Sequence, residues 1–82
     1  MAVVRIQLPI PDAVSNHIYQ RYANGRITEK ELFVVKRWLA KSPLVVSGNW
    51  YKRFNTFYLV GKGPTPSSVL DLNMTPYGIE IQ

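Results

Sequence analysis

The sequence predicts an α+β fold: a single small domain, β-α-α-β-β-β, an antiparallel sheet with an αα-hairpin packed on one face. Three features carry this reading. Apolar residues recur at helical spacing over 13–23 and again over 28–40. They alternate with polar residues at period two over 2–8, 50–61 and 77–82. Only a short connection containing Asn24-Gly25 separates the two helical stretches, so the helices must lie side by side. With 82 residues, no internal repeat and no linker composition, the whole chain, 1–82, reads as one domain whose core is near the lower limit for independent stability.

Ala2–Leu8 reads as a half-buried strand, with Val4, Ile6 and Leu8 on one side and Val3, Arg5 and Gln7 on the other. Pro9 and Pro11 end it. Asp12 is placed to cap a first helix, Ala13–Ala23, whose apolar stripe is Val14, Ile18 and Tyr22 and whose outward residues are His17, Gln20 and Arg21. Gly25 suits the left-handed residue that closes such a helix.

The second helix, Thr28–Ala40, carries the fullest set of signals. Thr28 and Glu31 have the spacing of a capping box, in which the glutamate reaches back to the N–H of the cap residue. Ile27 and Leu32 stand where a hydrophobic staple would form. Glu29 and Glu31 near the start, with Lys36, Arg37 and Lys41 near the end, complement the helix dipole. Ser42-Pro43 stops the helix. Leu32, Val35 and Leu39 make the inward stripe, widened by Val34 and Trp38, and Glu29, Lys30, Lys36 and Arg37 lie opposite. Phe33 falls on that polar side, one turn from Arg37. Two placements are open to it: beneath a neighbouring loop, or exposed in a basic contact surface with Arg37 stacked on it.

Leu44–Val46 has the start of a strand, interrupted by Ser47-Gly48-Asn49. Residues 50–61 then read as a hairpin turning at Asn55-Thr56. In that register Trp50, Lys52, Phe54, Phe57 and Leu59 share the core face, and Tyr51, Arg53, Tyr58 and Val60 share the other. Arg53 and Tyr58 become cross-strand neighbours. Residues 61–68, rich in glycine, proline and serine, read as a loop; Val69–Leu72 has no assigned type, and Asn73–Pro76 is a turn. Tyr77–Gln82 alternates again, and Glu80 would lie opposite Arg5 if the terminal strands pair.

Composition bounds the function. At 46% hydrophobic and 18% charged the chain is globular rather than disordered. The absence of cysteine excludes a disulfide framework and a thiolate zinc site. No apolar run approaches membrane-spanning length and no basic-then-apolar leader opens the chain, so the expectation is a cytoplasmic protein without a membrane partner. His17 is the single histidine and sits on a polar helix face, where it supports neither a metal site nor a Ser/His/Asp set. The five acids are scattered and none pairs for acid–base work. Gly61-Lys62-Gly63 lacks the spacing of a phosphate-binding loop. Neither a cofactor nor a catalytic residue is expected.

The net charge of +5 is unevenly placed. Residues 21–62 hold nine of the ten basic side chains and only Glu29 and Glu31 of the acids, so this segment carries +7 and the remainder −2. Such a field draws an acidic partner. Candidate partner-binding residues are Lys30, Phe33, Lys36, Arg37 and Lys41 on the second helix and Tyr51, Arg53 and Tyr58 on the hairpin. The leading expectation is a small non-enzymatic binding module that docks on an acidic protein surface, since exposed aromatic and arginine side chains serve as interface anchors. A nucleic-acid binder is the alternative, with bases stacked on Tyr51 and Tyr58 and phosphate held by Arg53. A second copy of the chain, as a homodimer, is a further candidate partner.

Ser47-Gly48-Asn49-Trp50-Tyr51-Lys52-Arg53 followed by Phe57-Tyr58-Leu59-Val60 resembles the central hairpin of the RelE/YoeB-type ribosome-dependent ribonuclease toxins. Size, basicity and element order are similar as well. The resemblance implies a ribonuclease in which Arg53 takes part. Two positions depart from that family's pattern: Tyr58 stands where a basic residue commonly opens the third strand, and near the C-terminus only Tyr77 answers to the family's catalytic residues.

Overall fold

The structure, a computed structural model, describes residues 2–82. Its elements are β1 (Val3–Arg5), α1 (Asp12–Ala23), α2 (Glu29–Ala40), β2 (Leu44–Val46), β3 (Asn49–Arg53), β4 (Phe57–Lys62), β5 (Thr65–Asp71) and β6 (Ile79–Glu80). The α+β class and the opening β-α-α-β-β-β run hold, with two helices side by side. The strands form two sheets, an antiparallel pair β1-β2 and a four-stranded sheet in the order β5-β4-β3-β6.

Both helices begin and end for local reasons. Thr28 caps α2 by accepting the Glu31 N–H at 3.1 Å. Ile27 and Leu32 are both buried, as a staple requires. At the start of α1, Asp12 is not the cap: Pro11 is, without a side-chain bond, and Asp12 is the first helical residue, where its charge still favours the helix N-terminus. Gly25 closes α1 at φ +74°, with its N–H on the Tyr22 carbonyl and the Arg26 N–H on the Arg21 carbonyl, the paired bonds of a Schellman ending. Beyond α2, Ser42 takes φ +48°, unusual for a residue with a Cβ. Its hydroxyl donates to the Ile6 carbonyl, and the Arg5 guanidinium donates to the Ser42 carbonyl at 3.0 Å, so the helix end is tied to the first strand.

The core lies between the helix pair and one face of the larger sheet. Val14 and Ile18 of α1 and Leu32, Val35 and Leu39 of α2 are buried with Trp50, Phe54, Phe57 and Leu59 of the hairpin region. The hairpin register is the expected one, Arg53 opposite Tyr58, and Phe54 closes the turn with its N–H on the Phe57 carbonyl at 2.8 Å. Aromatic rings fill the centre: Trp38 meets Trp50 and Phe54 edge-on at 6.0 Å, and Phe54 stacks on Phe57 at 5.4 Å. Each such pair contributes about 0.5–1.5 kcal/mol beyond its buried area. The Trp50 indole N–H, fully enclosed, donates to the Gly63 carbonyl at 3.0 Å and is not left unpaired. Lys52 lies on this face but leads its ammonium out over the Trp38 and Phe54 rings, 5.3 and 5.8 Å from their centroids.

Several expectations are corrected here. First, residues 61–68 are not a loop. Only Gly63-Pro64 turns, with Gly63 at φ +56° in the first central position of a two-residue hairpin, and β5 then runs seven residues against β4. Its prolines do not forbid a strand, because Pro66 sits beside the register shift at Val60/Gly61 and on the strand at the sheet's edge. Second, the terminal strands do not pair. β1 pairs with β2, and β6 lies parallel to β3 with Glu80 beside Tyr51, so Glu80 and Arg5 are not cross-strand partners. Third, Arg21 does not look outward. Its side chain, 11% exposed, reaches Asp71 at the end of β5 at 2.6 Å and lies over the Phe57 ring. Leu8 of the first segment and Val34 of α2, both expected on inward faces, are instead half exposed.

Candidate docking surface

Glu31 was expected to complete the capping box. It turns instead toward the hairpin and, 7% exposed, accepts the Thr56 N–H at 3.0 Å and the Thr56 hydroxyl at 2.9 Å. The buried carboxylate thus replaces the solvent of a turn that threonine otherwise fits poorly, and it locks the hairpin tip to the first turn of α2. Asp71 is likewise engaged. The Arg21 guanidinium, by hydrogen bond and by charge, holds the Asp71 carboxyl below its ordinary value of 3.8; partial burial opposes this, and Arg26 at 3.9 Å adds to it. Two of the five acids are therefore engaged by other side chains of the fold, Glu31 buried and Asp71 half exposed, while among the candidate cations Lys30, Lys36, Arg37, Lys41 and Arg53 all remain exposed.

The candidate residues fall into two groups. On α2, Lys30, Phe33, Arg37 and Lys41 follow one another at three- and four-residue steps and form one outward stripe, with Val34 beside them. Phe33 is 63% exposed and Val34 49%. The Arg37 guanidinium sits over the Phe33 ring, 5.5 Å from its centroid. Of the two placements left open for Phe33, the structure shows the exposed one. Lys36 lies round the helix toward α1. Glu29, at the helix start, is the one acid on the exposed side of α2.

Tyr51, Arg53 and Tyr58 form the second group, on the face of the sheet turned away from both helices. Tyr51 and Tyr58 meet edge-on at 5.6 Å and are half-buried, while Arg53 is exposed. This face is partly roofed. Residues 72–78 return from the β5 edge to the β6 edge, and Thr75 and Tyr77 line a concavity of about 230 Å³ with Val60 and Leu70. The two groups look in opposite directions, so the expected single basic-aromatic surface is divided by the thickness of the molecule. The alternation in β3 and the stripe in α2 were each legible, but their relative orientation depends on which sheet face the helices cover.

Two concavities flank the α2 stripe. One, of about 290 Å³, lies toward the hairpin tip between Thr28, Lys30, Glu31, Val34, Phe54 and Asn55. The other, of about 370 Å³, lies toward α1; Leu8, Pro9 and Ile10 form one wall, and Lys36, Leu39 and Ala40 of α2 form another. Sequence reasoning missed both, since each is built from segments far apart in the chain. Among the described residues no group of three His, Cys, Asp or Glu side chains gathers as a metal site would need, and no helix is long and apolar enough to cross a membrane. Comparison with protein families, with curated proteins and with solved structures gives no match to this chain.

Proposed function

We propose that this chain is a small non-enzymatic binding module that docks on an acidic protein through the outer face of α2. The observation that carries the reading is Phe33, an aromatic ring left largely in water at the middle of a basic stripe, with Arg37 stacked over it. Rings and arginines of this kind anchor protein interfaces, where a few well-placed side chains supply most of the affinity. The flanking Lys30, Lys36, Arg37 and Lys41 supply the field that draws an acidic surface and sets its orientation.

Nucleic acid is the second reading, and the Tyr51–Tyr58 pair beside Arg53 favours it. It ranks lower because those rings face away from the α2 cations, so phosphate-holding and base-stacking groups do not share one track. The test is capture from nuclease-treated cell extract by the immobilised wild-type chain and by the double variant Phe33→Ala, Arg37→Glu. The wild type should retain an acidic protein that the double variant loses. An identical set on both would sink the α2 surface. Retention of a mixed RNA and DNA pool, falling steeply as salt is raised, would shift the assignment to nucleic acid.

A further inference from the structure

We infer that the groove between α1, α2 and the 8–10 segment receives an apolar side chain of the acidic protein, so that the recognised element is a short acidic segment with a central aliphatic or aromatic residue. This rests on the α2 docking reading and adds where the partner is gripped and by what chemistry. The groove is the larger of the two concavities beside the stripe, about 370 Å³ against about 290 Å³. Its walls are apolar: Leu8 to Ile10 on one side, Ile18 of α1 below, and Leu39 and Ala40 of α2 opposite. The small side chains of Ser15 and Ala40 leave it open. That volume lies at the small end of ligand pockets and suits one or two side chains rather than a whole cofactor.

Charge selects this groove over its neighbour. The hairpin-side concavity has Lys30 and the Glu31 carboxylate together in its lining, so its charges offset. The α1-side groove has one charged residue, Lys36, and it is a cation. Arg37 and Lys41 stand one residue beyond Lys36 and Ala40, both exposed. Phe33, Lys36 and Ala40 follow at i, i+3 and i+7, so the exposed ring and the groove wall are neighbours on the helix. An apolar side chain in the groove would therefore bring flanking carboxylates within reach of Lys36 and Lys41 while its backbone passes Phe33.

The experiment uses the intact chain, ¹⁵N-labelled, titrated with the synthetic peptide Glu-Glu-Leu-Phe-Glu-Glu, with Glu-Glu-Gly-Ser-Glu-Glu and Lys-Lys-Leu-Phe-Lys-Lys as controls. Amide shifts centred on Ile10, Ser15 and Ala40 are expected with the first peptide only. Ala40→Trp, which fills the groove from an exposed position, should weaken that peptide at least about tenfold, as loss of an interface anchor does. Ser15→Trp fills it from the other helix and guards against a local fault in α2; unchanged melting temperatures show that both variants fold. Lys36→Glu should weaken the acidic peptide and admit the basic one. The inference is overturned if no amide in the groove moves, if both filled variants bind like wild type, or if the glycine-serine control binds equally well. Loss on Phe33→Ala, Arg37→Glu with none on either filled variant leaves the α2 reading standing and removes the groove. Loss on the filled variants alone keeps the groove and removes Phe33 as the anchor.

Discussion

α1 and α2 have the same length, twelve residues each, and pack against the same core, yet they use their outward sides differently. α1 presents ordinary polar side chains, Asn16, His17 and Gln20, and is clamped at its end by Arg21 on Asp71. α2 is clamped at its start by Thr28 and by Glu31 on Thr56, and presents Phe33 and Val34 among cations. Both helices are anchored to the sheet by one buried or half-buried charged residue. α1 exposes a single ring, Tyr19, tilted against Tyr22 of the same helix at 6.0 Å, whereas α2 exposes two apolar side chains, Phe33 and Val34, among its cations. A helix needs one face to join a core; what stands on the opposite face is free of folding constraints and is where a binding role shows.

The contrast between the inner and outer faces of α2 gives the largest expected effect. Leu39→Ala should destabilise by about 2–5 kcal/mol, since it removes a buried side chain of the core between the two helices, and urea melts should show it directly. If it costs less than Phe33→Ala, the inward stripe is misplaced. Next comes the clamp at the start of α2. Glu31→Ala removes the charged acceptor of the Thr56 N–H and hydroxyl and should cost about 1–3 kcal/mol.

The clamp of α1 is read by pH. Asp71 has its carboxyl held low in the folded state by Arg21, so its contribution is fully present above the unfolded value near pH 4 and fades as pH falls through the lower folded value. Acid melts should therefore show a loss of stability below about pH 4 that is smaller in Asp71→Asn. An identical acid profile in the variant would remove the clamp. The smallest stability effect belongs to the outer face. Phe33→Ala should change stability by no more than about 0.5 kcal/mol while abolishing capture of the acidic partner. A large loss of stability on that change would mean the ring belongs to the fold.

The resemblance of residues 47–60 to a toxin hairpin bears on the hairpin alone. β3 and β4 do pair there, with Arg53 opposite Tyr58, but strands pairing in this way are common to many functions.

What periodicity and caps convey was legible from the residues alone: both helices, the Thr28 cap, the Gly25 ending, and the register that buries Trp50, Phe54, Phe57 and Leu59 while turning Tyr51 and Tyr58 away. These depend on bonds within a few residues and on alternation that a one-residue slip would invert. Long-range placement was decided only by the tertiary structure. β5 forms from a glycine- and proline-rich stretch because β4 offers it a partner edge, and β6 joins β3 rather than β1. Glu31 leaves its local partner because the Thr56 turn comes within reach, and Arg21 turns in because Asp71 waits at the end of β5. Local composition ranks conformations of a segment by its own preferences; a hydrogen-bonding edge or a buried counter-charge from elsewhere in the chain outweighs those preferences, and no window along the sequence contains it.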